Sequence, residues 1–176
     1  MFGGSGAPLV KDPMLDILLG DVKNERAENE EAVVTLGEIA ADMGFENRQS
    51  IVDPLPVVSP LQGLVRGRYL RSFIPMVITF RKRTIKTVFL VDTVGTVTFV
   101  GKPTWDRLME GFEDTGQTTI KVALNGFRAQ EVTLSPQNFH FSDIDLVGTS
   151  FLSQIDADFH VSYKEKTCYL EWPEDI

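Results

Sequence analysis

Phe89-Leu90-Val91-Asp92-Thr93-Val94-Gly95 is the stretch on which the reading turns. With Val88 in front of it, the run is apolar without alternation, as in a strand covered on both faces. It delivers a carboxylate directly at its end, followed by a hydroxyl residue and a glycine-bearing turn. An ionisable group at the end of so apolar a strand predicts a buried aspartate turn, Asp92 to Gly95, with the segment from about Phe73 to Trp172 organised around it.

Outward from that turn the periodicity is that of strands. Ile74 to Phe80 and Ile85 to Val91 are β-rich runs separated by Arg81-Lys82-Arg83, which predicts an antiparallel hairpin with a solvated basic turn. Downstream, Val97 to Val100 reads as a short strand, and Pro103 to Met109 as a helical turn ending near Gly111. Ile120 to Leu124 and Phe127 to Leu134 flank Asn125-Gly126, a pair that tolerates positive φ at both positions and favours a two-residue hairpin turn. Ile144-Asp145-Leu146-Val147-Gly148 leads into a short helix, Thr149 to Gln154, and Phe159–Tyr163 with Thr167–Trp172 forms a closing hairpin.

Upstream the pattern is helical or extended. Asp12-Pro13 is a helix start, with Met14 to Leu19 behind it, and the acidic stretch from Asp21 to Glu31 reads as solvated helix or linker. Thr35 and Glu38 have capping-box spacing before Leu36, Ile39, Ala40 and Met43, with Gly44 placed to end the helix. Pro54, Pro56 and Pro60 forbid a continuous helix and mark an extended crossing. The expected division is residues 1–64 as an N-terminal extension and 65–176 as a β domain. Protein partners would meet the extension, or a sheet edge that it covers.

Composition narrows the function. A 176-residue chain with 43% hydrophobic and 24% charged residues can bury an ordinary core. Its net charge of −8 argues against broad nucleic-acid binding, which needs Lys and Arg to displace counterions. No stretch approaches a membrane span, so a soluble intracellular or organellar protein is expected. Cys168, the single cysteine, reads as a core thiol. His140 and His160, the two histidines, lie on different elements without metal-ligand spacing to a Cys or carboxylate, and no phosphate or dinucleotide fingerprint occurs. Neither metal nor cofactor is expected.

Hairpin, apolar strand ending in Asp-Thr, further hairpin, Leu-Val-Gly, helix and closing hairpin form an order that resembles the retropepsin-like aspartic protease domain, over roughly Ile74 to Trp172. Two motifs carry the resemblance: Phe89 to Thr98, similar to the family's apolar strand with Asp-Thr-Gly, and Leu146-Val147-Gly148-Thr149-Ser150-Phe151-Leu152, similar to its apolar-apolar-Gly segment and helix. The resemblance implies a mainly β, closed barrel with one or two short helices. It also implies that Asp92 is the catalytic candidate, that Thr93 locks two turns together, and that a homodimer supplies the second carboxylate, because two close carboxylates share the proton with which they activate water.

The sequence departs from the family at Val94, where glycine is expected and a β-branched residue stands, with Gly95 one place later. Extra bulk beside the carboxylate points to a domain with impaired catalysis that serves as a protein-binding or structural subunit. An active homodimeric endopeptidase using Asp92 is the alternative. A literal Asp114-Thr115-Gly116 also occurs, but Glu110 to Glu113 precede it rather than a buried strand, so it reads as a solvent turn. The region from Trp105 to Gln117 stands where the family has its flap or a connecting loop.

Overall fold

A computed structural model describes residues 22–23, 34–52, 58–113, 115–138 and 141–173. The expected helix after Asp12, most of the acidic stretch from Asp21 to Glu31, and Pro54, Pro56, Asp114 and His140 lie outside the described residues.

The structure is built on one long hairpin. β5 (Arg71–Phe80) and β6 (Arg83–Val91) pair from Phe73↔Leu90 to Phe80↔Arg83, so the turn is Arg81-Lys82. Arg81 takes a φ of 54°, and its guanidinium lies 4.5 Å from the Phe112 ring centre and 5.2 Å from that of Phe80, which holds an unfavoured backbone state in place. On its other edge β5 serves two neighbours. Its start pairs with β4 (Leu61–Arg66) and its end with β8 (Thr119–Leu124).

From β8 the sheet continues through β9 (Gln130–Leu134), β7 (Phe99–Val100) and β10 (Asp145–Val147) back to β6. The β5–β6 pairing closes these six strands into a barrel, which removes their free edges. Two of these steps are parallel, β10 beside β6 with Leu146 opposite Leu90 and β7 beside β9, and the β7–β10 step between them is antiparallel. The ring therefore brings the strand carrying Asp92 and the strand carrying Gly148 side by side and pointing the same way. β12 (Thr167–Glu171) and β11 (Asp158–Ser162) extend the sheet beyond β4, and β3 (Gln49–Ser50) adds to β6. The 64/65 position expected as a boundary falls inside β4.

The unbroken apolar run of β6 has a simple cause. Phe89 faces the barrel interior with Ile74, Met76, Ile78, Phe151 and Leu170. Val88 and Leu90 face outward, with Phe73, Ile144 and Leu146, onto a second core supplied by the N-terminal segment: α1 (Leu36–Asp42) buries Leu36, Ile39 and Ala40 there, joined by Phe45. Each of the Val, Leu, Ile and Phe side chains among them contributes about 1.5–3 kcal/mol when fully buried. α1 begins as its sequence requires, with Thr35 Oγ1 accepting from the Glu38 N–H and the Glu38 carboxylate accepting from the Thr35 N–H. β1 (Val22–Lys23) and β2 (Val34–Thr35) form a separate parallel pair.

The expected mainly β closed barrel is present. Two short helices, α2 (Lys102–Met109) and α3 (Thr149–Gln154), lie where the sequence placed them. One hairpin differs in detail. Asn125 and Gly126 do take positive φ, 48° and 78°, and the Phe127 N–H closes the turn on the Leu124 carbonyl. But β9 starts at Gln130 rather than Phe127. Phe127 turns into the core instead, its ring edge-on to Trp172 at 5.2 Å and to Phe151 at 6.0 Å, contacts made in place of strand pairing at positions 127–129.

Candidate active site

Asp92 ends β6, and its N–H donates to the Val147 carbonyl of β10 at 3.0 Å, which carries the parallel pairing into the turn. The carboxylate then folds back over its own loop. Oδ1 accepts from the N–H of Val94 at 3.0 Å and of Gly95 at 2.9 Å. Oδ2 lies so close to Gly95 that a Cβ there would stand 2.4 Å from it, so Gly95 is the residue that lets the carboxylate settle on the turn. Oδ2 is the oxygen left for a water or a second carboxyl group.

The loop beyond is stapled to the corner between β10 and α3. Thr149 N–H donates to Gly95 O at 2.9 Å, Ser150 N–H to Thr96 O at 3.1 Å, and Gly148 N–H to Thr98 Oγ1 at 3.2 Å. The Ser150 hydroxyl also donates to Thr96 O. Gly148 makes this approach possible, since a Cβ at that position would stand 2.5 Å from Val97 O and 2.6 Å from Thr96 O. Asp92, Gly95 and Gly148, chosen from the sequence, are thus brought into one unit.

The turn is not buried, contrary to expectation. Asp92 is half-buried, Thr93 and Val94 are exposed, and Val94 is 92% exposed. The physical reason is position: β6 leaves the barrel at its open end, and the carboxylate satisfies itself with its own backbone N–H groups rather than with the core. Nor does Val94 occupy a positive φ, so a β-branched residue carries no backbone strain there. What remains of the departure at this position is bulk beside the carboxylate. Among the described residues the Thr93 hydroxyl has no hydrogen-bond partner.

The remaining candidates separate clearly. Thr115 and Gly116 are exposed, with Gly116 at a φ of 67°, as in a solvent turn. Among its described residues the connection 110–118 contains no strand. His160 stacks on Tyr169 at 4.4 Å with its Nε2 3.9 Å from Glu171. Burial pushes the Cys168 thiol up to about 11, the signature of an inert core thiol. Among the described residues no group of three His, Cys, Asp or Glu side chains could hold a metal ion, and no helix is long and apolar enough to cross a membrane.

Sequence reasoning missed a second carboxylate. Asp145 is fully buried, with Oδ1 accepting from Gly101 N–H at 2.8 Å and Oδ2 from the hydroxyls of Thr104 at 2.7 Å and Thr87 at 2.9 Å. Arg48, from the N-terminal segment, donates to Thr104 Oγ1 at 2.9 Å, and Asn47 Oδ1 accepts from Val88 N and lies 3.1 Å from the same Thr87 hydroxyl. Loss of solvent raises the carboxyl pKa above its ordinary value, against the pull of Arg48 and the three hydrogen bonds. An acid inside the apolar run Ile144-Asp145-Leu146-Val147 was the available signal, because a buried charge must be paired. Its donors tie α2, β6, β10 and the N-terminal segment together, two residues before the Val147 carbonyl that receives the Asp92 N–H.

No family model matches the chain, and no curated protein matches it. Among solved structures it is similar to the crystal structure of a retropepsin-like aspartic protease from Rickettsia conorii, at 20% sequence identity and a TM-score of 0.43, over 67% of this chain and 97% of that one.

Proposed function

We propose that residues 65–176 are a retropepsin-like domain with impaired catalysis, preceded by an extension over residues 1–64, and that the chain serves as a protein-binding or structural subunit of a larger assembly. The observation that carries the proposal is Val94. Its side chain stands almost wholly exposed on the residue whose N–H holds the Asp92 carboxylate. Aspartic peptidase chemistry needs free space there for a peptide carbonyl, a water and a second carboxylate sharing one proton. Valine fills part of that space. The same reading is supported by the short connection after α2, whose described residues hold no strand pair that could close over a peptide and exclude water.

One observation favours a second reading, an active homodimeric endopeptidase. The Thr93 hydroxyl is exposed and unpartnered among the described residues, as it would be if a second copy received it, and the backbone N–H groups already orient Asp92. The test is cleavage of a mixed peptide library at acidic to neutral pH by the native chain and by an Asp92→Asn variant. Identical product profiles support impairment. Products that appear with the native chain and vanish with the variant establish the second reading.

A further inference from the structure

Two strands share one edge of β6 and leave a gap between them. β3 pairs with Ile85 and Lys86, and β10 with Phe89 to Val91, so Thr87 and Val88 fall between the two. Side chains fill the gap. Asn47 Oδ1 accepts from the Val88 N–H at 3.1 Å, which fixes the amide with its oxygen towards β6. The Thr87 hydroxyl lies 3.1 Å from that oxygen and 2.9 Å from Asp145 Oδ2.

With Asp145 ionised, this cluster is one hydrogen short. Thr104 receives Arg48 Nε and turns its single hydrogen to Asp145 Oδ2, while the Gly101 N–H serves Oδ1. Thr87 has one hydrogen and two acceptors within reach. One of its two contacts then sets oxygen against oxygen with nothing between them, although Asp145, Thr87 and Thr104 are all fully buried. A proton on Oδ2 completes the set. Oδ2–H donates to Thr87 Oγ1, and Thr87 turns its own hydrogen to Asn47 Oδ1.

We propose that this proton fastens residues 46–50 to the barrel, and that its loss to solvent releases them while α1 stays in place. The other ties of the segment are slight: β3 is two exposed residues, Ser50 meets Arg107 at 3.2 Å, and Arg48 takes an unfavoured φ of 62°. By contrast α1 buries Leu36, Ile39 and Ala40, and Asp42 pairs with Arg66 at 3.0 Å. Among the described residues Arg48 is the charged group set against the carboxylate, and it favours the ionised form. Burial outweighs it and raises the carboxyl pKa. The neighbouring charges are engaged elsewhere: Lys102 with Asp106, Arg107 with Ser50, and Lys86 over the Phe45 ring. Asp143, beside Ser142, offers Arg48 its backbone carbonyl. Lifting Asn47 and Arg48 away admits water to Asp145 and returns its pKa towards the ordinary value of about 4. Docking of the segment therefore takes up a proton, so it is strongest at low pH and weakens as pH rises towards the folded value.

The experiment is NMR on the full chain upward from about pH 4, following the Asp145 carboxyl carbon and the protection of amides relative to free exchange. Asp145 is expected to titrate above the ordinary aspartate value. Between the two values, protection of the Val88 and Gln49 amides should fall by up to about tenfold per pH unit, because opening releases one proton, and then level off. Protection in α1 should stay level. Asp145→Asn supplies a donor to Thr87 at every pH and should abolish the slope at Val88 and Gln49. Titration at or below the ordinary value, flat protection in the native chain, a fall shared equally by α1, or the same slope in Asp145→Asn would each overturn the proposal. The first three measurements use the native chain, so they decide the matter even where Asp145→Asn does not fold.

Discussion

Substitution of Gly148 by alanine tests how the aspartate turn is held. The new Cβ would stand 2.5–2.6 Å from the backbone of Thr96 and Val97, closer than real Cβ contacts come, and backbone cannot swing aside as a side-chain tip can. The cheaper response is for residues 95–98 to lift off the β10–α3 corner. That breaks three hydrogen bonds, from Gly148, Thr149 and Ser150 N–H. Each is worth about 1 kcal/mol, and the buried Gly148 donor costs more when left unpaired, so the loss should be about 3 kcal/mol. With a urea slope of about 2 kcal/mol/M for a chain of this size, the unfolding midpoint should fall by about 1.5 M at unchanged slope. Hydrogen exchange should quicken first at Gly148, Thr149 and Ser150. Gly95→Ala is the contrast: its Cβ meets only the Asp92 carboxylate, which can rotate away, so the loss should be about 1 kcal/mol. Equal effects of the two substitutions, or a loss below about 1 kcal/mol for Gly148→Ala, would refute the reasoning.

Asp145→Asn should alter pH dependence rather than fold. Because the folded carboxyl pKa is raised by burial, Asp145's contribution is fully present below its unfolded value of about 4 and is lost as pH rises through the folded value. The native urea midpoint should therefore drop relative to the Asn variant as pH rises above about 4, and parallel profiles would count against it. Asn125→Ala removes the 2.7 Å hydrogen bond from Val77 N–H and puts a Cβ-bearing residue without local polar support at positive φ, so denaturation should show a loss of about 2 kcal/mol. Thr35→Ala should cost about 1 kcal/mol and raise amide exchange in the first turn of α1 without touching the barrel.

The sequence carried the elements whose determinants are local. Arg81-Lys82, Asn125-Gly126 and the Thr35/Glu38 box each specify a turn or cap within four residues, and Leu146-Val147-Gly148 announces its own helix. What it could not carry was pairing across distance. Asp145 gathers Thr87 and Thr104 from 58 and 41 positions away, and Asn47 adds to the same group, so no window contains the site. The apolar run of β6 revealed burial on both faces but not that α1 supplies one of them. Phe127 followed its ring into the core at the expense of strand pairing, a choice made by Phe151 and Trp172. The exposure of Val94 was hidden because a turn's surroundings are set by where the barrel closes.

The central claim, that Val94 impairs Asp92, is tested most directly by measuring peptide-library cleavage for the native chain, Asp92→Asn and Val94→Gly side by side by mass spectrometry. The account predicts that the native chain yields no products beyond those of Asp92→Asn. Products released by the native chain at the rate of Val94→Gly, and abolished in Asp92→Asn, would contradict it.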